Sequence, residues 1–201
     1  MRTMAALVFP GFQTLDFFGP IEMLGFRDKI ELITVAETLD PVPSRHGQRI
    51  LPDRTLAEHA AYDLVFVPGG DSALEAAKSE PLMDWVREAS ANAEKVFAVC
   101  TGTILLGMAG VLDGRRATTN KLDFTATVPL APGVEWVKQA RWVRDGKFYT
   151  SSGVSAGMDM ALAVAEDLFG SAEAEKMAEE NEYLWNRDPD VDPFAASAGL
   201  V

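Results

Sequence analysis

Along this chain, short runs of Val, Ile, Leu and Phe alternate with longer amphipathic stretches. The runs at 4–9, 30–36, 64–67, 96–99 and 147–151 are predicted strands. Most are apolar on both faces, the pattern of a parallel sheet buried between two layers of helices. Helices are predicted near 20–26, 81–92, 101–109 and 155–169, with a charged outer helix over about 172–185. Pro20 and Pro81 suit a first helical turn, where a missing N–H costs nothing. The segment 134–144 is different: short, partly alternating runs lead to the turn Asp145-Gly146. It is read either as strands off the main sheet or as an antiparallel edge.

The fold class is therefore α/β, a mostly parallel central sheet covered by helices on both faces. With 201 residues and no composition shift or fixed-period repeat, residues 1–201 are read as one domain. The stretch 183–201 is left as a tail of uncertain role. A chain of this size buries roughly 70% of its unfolded surface, so it needs no disulfide or metal staple.

The formal charge of −12 speaks against nucleic acid and against anionic membrane surfaces. The apolar stretch after Met1 is too short for a secretory signal, and no run approaches the ~18 residues of a membrane span. One cysteine cannot close an internal disulfide, which suits a reducing compartment. A cytoplasmic location is the expectation.

Ligands of open α/β sheets bind outside the carboxyl ends of the strands. That rule selects Asp16, Pro68-Gly69-Gly70 and Cys100. Cys100 lies between the run Val96-Phe97-Ala98-Val99 and a helix opened by Thr101-Gly102-Thr103. A sharp strand-to-helix turn there exposes a nucleophile, and the helix N–H groups are expected to lower its pKa. The competing reading is an inert core cysteine packed as a small hydrophobe. Gly69 and Gly70 offer backbone N–H groups that, with that of Thr101, would hold developing negative charge; an ordinary glycine turn explains them equally. Asp16 stands among Leu15, Phe17 and Phe18, where desolvation raises a carboxyl pKa, although a helix N-cap would also use an Asp. Glu22 follows as a second acid that can face the site.

His46 and His59 lie in polar stretches and do not pair naturally with Cys100, so a Cys-His hydrolase lacks its base. Asp188-Pro189-Asp190-Val191-Asp192 alternates acids like a calcium loop, but lacks the central glycine and terminal Glu. It is read as a solvated tail.

Taken together, Pro10-Gly11-Phe12, Leu15-Asp16, Gly19-Pro20, Val67-Pro68-Gly69-Gly70 and Ala98-Val99-Cys100-Thr101-Gly102 resemble the DJ-1/PfpI superfamily. So do the stretch from Gly110 to Thr119 and Ser152-Gly153-Val154-Ser155-Ala156-Gly157-Met158-Asp159. The resemblance covers about 4–183 and lies nearest the isocyanide hydratase branch. It implies a flavodoxin-like three-layer fold, a homodimer, a small-molecule substrate, and neither metal nor organic cofactor. It implies Cys100 as nucleophile, Asp16 as acid/base, Thr101 as its assistant, and Gly69, Gly70 and Asn120 around the substrate. Many relatives carry Glu where Asp16 stands, and protease-like relatives carry a His after the Thr118-Thr119 pair, where this chain has Asn120-Lys121. Regulators of this superfamily append a DNA-binding segment for which this chain is too short. The activities left open are isocyanide hydration, a glyoxalase-like reaction on methylglyoxal or other α-oxoaldehydes, and a non-catalytic redox sensor using Cys100.

Overall fold

A computed structural model describes residues 1–24 and 28–201. The strands run β1 (Arg2–Leu7), β2 (Ile30–Ala36), β3 (Val42–Pro43), β4 (Arg49–Ile50), β5 (Arg54–Thr55), β6 (Leu64–Val67), β7 (Lys95–Val99), β8 (Arg116–Ala117), β9 (Glu135–Trp136), β10 (Trp142–Asp145) and β11 (Phe148–Ser151). The helices are α1 (Thr14–Leu24), α2 (Ala73–Ala76), α3 (Glu80–Asn92), α4 (Gly102–Met108), α5 (Phe124–Thr127), α6 (Ala156–Phe169), α7 (Ser171–Glu180) and α8 (Pro193–Ser197).

The central sheet has the order β10-β11-β7-β6-β1-β2-β5. All its neighbours are parallel except β10 against β11. Every residue of β6 and β11 is buried, as the doubly apolar runs require when α1, α6 and α7 cover one side and α2, α3 and α4 the other. The segment 134–144 divides between the two expected outcomes. β9 pairs with β8 in a small separate sheet, and β10 forms the antiparallel edge.

The order reverses direction at β1, which sends the chain first to β2 and then to β6 on its other side. A crevice outside the strand ends is expected at that switch point. Phe17 of α1, Phe66 of β6 and Phe97 of β7 form a ladder across it, with ring centroids 6.0 and 5.0 Å apart. This ladder seats α1 on the sheet.

Several expectations are corrected. Pro20 does not open its helix: α1 begins at Thr14, and Pro20 lies inside it. Its ring leaves the Asp16 carbonyl without an i→i−4 amide. The predicted end of that helix at Phe26 lies outside the described residues. Pro81 does sit in the first turn of α3, whose cap is Ser79. The outer helix stops at Glu180, not near 185.

The tail is not solvated as a whole. Asp192 is 2% exposed and caps α8 by accepting from the Phe194 amide at 3.0 Å. The Arg141 amide donates to the Pro189 carbonyl at 2.7 Å, and the Asp192 amide to the Gln139 carbonyl at 2.7 Å. Asp159 receives the Tyr183 hydroxyl at 3.0 Å and the Asn186 amide at 2.9 Å, binding the tail to α6. Alternating acids in sequence carry no sign that one of them serves as a buried cap. Among the described residues no helix is long and apolar enough to cross a membrane.

Candidate active site

Helix α1 buries the residues 16, 17, 19, 20, 23 and 24, a face built on the i, i+3, i+4, i+7 stripe of an amphipathic helix. The first position of that apolar stripe is Asp16, with no solvent exposure. A carboxylate in such a place loses its hydration. Burial accordingly raises the Asp16 pKa from 3.8 to about 7, partly offset by the Gly69 amide and by the Cys100 thiol. The Gly69 N–H donates to Oδ2 at 3.2 Å, while Oδ1 accepts no hydrogen bond from the described residues. The carboxyl is half satisfied.

Cys100 directly follows β7 at φ +57°, a left-handed conformation that costs a non-glycine residue about 1–2 kcal/mol. The strain turns the chain sharply from strand into α4, as the flanking residues predict. The fold holds the turn from both sides: the Cys100 amide donates to Ser151 O at 3.2 Å, and the Thr119 hydroxyl donates to Cys100 O at 2.7 Å. Gly102 permits the close crossing, since a Cβ there would lie 2.5 Å from the Val67 carbonyl oxygen.

The thiol does not have the low pKa expected of it. Burial and the Asp16 charge push it up to about 12, against donors from Asn120 and Thr101 that favour the thiolate. Only seven residues make up α4, and its N-terminus does not overcome that desolvation. The Asn120 Nδ2 donates to Sγ at 3.2 Å. Asn120 is itself oriented by Asp123: Nδ2 reaches Oδ2 at 2.8 Å, and the Asp123 amide donates to Asn120 Oδ1 at 2.8 Å.

Gly69 and Gly70 do line this centre, but their amides are already engaged. Gly69 N–H serves Asp16, and Gly70 N–H donates to Thr101 Oγ1 at 2.9 Å. The anion-holding role expected of these amides is therefore occupied in this conformation. The Thr101 hydroxyl also bonds Gly70 O at 2.9 Å, locking the end of β6 to the start of α4. A Cβ on Gly69 would stand 2.7 Å from Asp16 Oδ2 and 2.8 Å from the Thr101 amide, so no larger residue fits between them.

Asp16, Gly69, Gly70, Cys100, Thr101 and Asn120 thus converge, as the sequence suggests. Glu22 does not join them: it is exposed on the other flank of α1, beside Met1 and Glu31. His46 meets Thr14 and His59 meets Glu88. Sequence reasoning assigns no role to Thr119, Lys121 or Asp123. Thr119 and Lys121 enter only as positions within the resemblance, and Asp123 has no sequence signal beyond its place in the polar run that follows β8.

A pair formed by a strained thiol and a half-satisfied acid can attack an electrophilic carbon and return a proton to it. This chain is similar to several known proteins. The family described as DJ-1/PfpI matches residues 2–167. An isonitrile hydratase from Pseudomonas putida is 36% identical over 179 residues, spanning 88% of this chain and 76% of that protein. The crystal structure of a ThiJ/PfpI family protein from Pseudomonas syringae superposes with a TM-score of 0.83 at 31% identity, covering 99% of this chain and 84% of that one. A mutant DJ-1 superfamily protein from Salmonella typhimurium gives 0.81 at 27% identity, covering 92% and 100%.

Proposed function

Because this chain belongs to the DJ-1/PfpI family, we propose that it is a cysteine-dependent hydratase that converts an organic isocyanide to an N-formamide, R–NC + H2O → R–NH–CHO. The observation that carries the reading is the Cys100–Asp16 pair with Asn120 on the sulfur and, among the described residues, no histidine beside it. Its similarity to an isonitrile hydratase supports the choice of substrate class.

The terminal carbon of an isocyanide accepts sulfur and needs one proton in return. Above its pKa, Asp16 takes the thiol proton as Sγ attacks, and delivers it to the same carbon. The product is a thioimidate, Cys100–S–CH=N–R. Asp16, again a carboxylate, then draws a proton from water as the oxygen adds to that carbon. The proton passes on to nitrogen, and collapse of the adduct breaks the C–S bond. Formamide leaves and the thiol is restored. One carboxyl serves as base and acid in turn, and Asn120 and Thr101 stabilise the sulfur when it carries charge.

Turnover of a simple aryl isocyanide, followed by formamide appearance, tests this in wild type, Cys100→Ala and Asp16→Asn. Formation by wild type alone is expected. Full turnover by Cys100→Ala would overturn the nucleophile, and turnover of methylglyoxal in place of every isocyanide would overturn the substrate.

A homodimer and a cytoplasmic location belong to the same proposal. Leu15 and Phe18 are each 41% exposed on α1, and a second copy covering them fits the apolar face they make. The single free cysteine suits a reducing compartment. Light scattering that gives a monomer mass would remove the dimer.

A further inference from the structure

Lys121 follows Asn120 directly, and its side chain does not reach solvent: the residue is 3% exposed. Lysine is almost never buried so fully without a reason, because its ammonium loses its hydration. Here Nζ meets three oxygens, Thr118 Oγ1 at 2.6 Å, Ala140 O at 2.7 Å and Thr119 O at 3.4 Å. Three acceptors match the three N–H groups of an ammonium. The side chain therefore folds back and ties its own loop, 118–121, to Ala140.

Ala140 is held in turn. Gln139 and Arg141 on either side of it bond the tail at Asp192 and Pro189. Arg141 is anchored to Asp159 of α6 at 2.6 Å. Burial, together with the charge of Arg141, lowers the Lys121 pKa to about 8, while the charge of Asp192 favours the ammonium. The loop fixed in this way carries both groups that touch the nucleophile from this side: the Thr119 hydroxyl on Cys100 O and the Asn120 amide on Sγ. Gly153 closes the far side, where a Cβ would press on Asn120 Cβ at 3.3 Å.

We propose that Lys121 is a positioning residue for the reactive sulfur, acting by fastening loop 118–121 to the tail-braced Ala140 so that Asn120 lies on Cys100 Sγ. The inference rests on the reading of Cys100 as the reactive group. It does not depend on which electrophile Cys100 attacks.

The test is the rate of Cys100 alkylation by iodoacetamide across pH in the full chain, for wild type, Lys121→Met, Asn120→Ala and the double variant, with circular dichroism to confirm folding. A hydrogen bond to a charged group changes an equilibrium by about tenfold or more, so Asn120→Ala is expected to slow alkylation by about that factor. Lys121→Met is expected to slow it equally, and the double variant no further than either alone. Lys121→Gln keeps two donors and should fall between; it carries the test if the methionine variant does not fold. A folded Lys121→Met or Lys121→Gln protein that alkylates like wild type would overturn the proposal. So would effects that multiply in the double variant. Alkylation reads Cys100 without an isocyanide, so failure of the hydratase reading shows separately, in the turnover assay.

Discussion

Asp16 and Cys100 are coupled through a proton: the charge on Asp16 disfavours the Cys100 thiolate, while the thiol favours the Asp16 carboxylate. With the acid at about 7 and the thiol at about 12, the resting pair above neutrality is a thiol beside a carboxylate. The strongly nucleophilic form arises by internal transfer from sulfur to oxygen. Such a pair titrates as a unit, and its apparent pKa belongs to both residues.

The pH profile of the proposed hydratase follows. Below about pH 7 the pair holds two protons and Asp16 has no room for the one on sulfur. The rate constant kcat/KM for an isocyanide is therefore expected to rise about tenfold per pH unit up to that point and then level. A flat profile through pH 5 to 8 would remove Asp16 from the proton path.

Asp16→Asn should move two readouts in opposite directions. Isocyanide turnover falls because no group delivers the proton; a loss of about 100-fold or more is typical of general acid–base catalysis. Cys100 alkylation at fixed pH rises, because the charge that raised the thiol pKa is gone. If both fell together, Asp16 would be acting on the shape of the site and not on its protons.

Stability carries the same signature. The folded-state pKa of Asp16 is raised above its ordinary 3.8 to about 7. Its stabilising contribution is complete below the lower value and is lost as pH rises through the higher one. Asp16→Asn escapes that loss. Its stability relative to wild type should grow in the variant's favour from pH 4 to pH 8, by about 1.4 kcal/mol for each pH unit that separates the folded and unfolded pKa values. Urea unfolding at both pH values checks this, and an unchanged difference would mean the carboxyl is not held in its desolvated place.

How much of this was legible in the sequence depends on the range of the interactions. The doubly apolar run located the strand 64–67 to the residue, because burial on both faces leaves little freedom in composition. The run 30–36 was located as well, although Glu31 and Leu32 are exposed. Strand ends pointed to Asp16, Gly69, Gly70 and Cys100, since parallel α/β topology gathers those ends at one edge. The thiol pKa departs from its expected direction because proximity to a helix N-terminus is a local feature, whereas desolvation depends on everything packed above it. Asp192 and Lys121 look like solvent residues in sequence for the same reason. Their partners, Gln139, Ala140 and Arg141, are distant in sequence, and no periodicity encodes such a meeting. Pro20 misleads because a proline is cheapest in a first turn, yet α1 carries it inside.

The tail's attachment can be weighed against an exposed ion pair in the same region. Arg141 is 7% exposed, and its Nε and a terminal nitrogen both reach Asp159 Oδ2 at 2.6 Å. Arg141→Met leaves the Asp159 carboxylate with the Tyr183 hydroxyl and the Asn186 backbone amide as its donors among the described residues, and it removes a positive neighbour of Asp192 at 3.9 Å. Breaking a buried pair from one side costs about 3–5 kcal/mol. Arg187 also bonds two acids, Glu166 and Glu175, but its side chain is 47% exposed. Water and salt screen such pairs to about 0–1 kcal/mol each. Arg141→Met is therefore expected to lower Tm strongly and to make the segment 183–192 sensitive to brief proteolysis, while Arg187→Ala does neither. Equal effects from the two variants would mean that the tail is held by its backbone bonds to Gln139 and Arg141, with the buried charges contributing nothing to its hold.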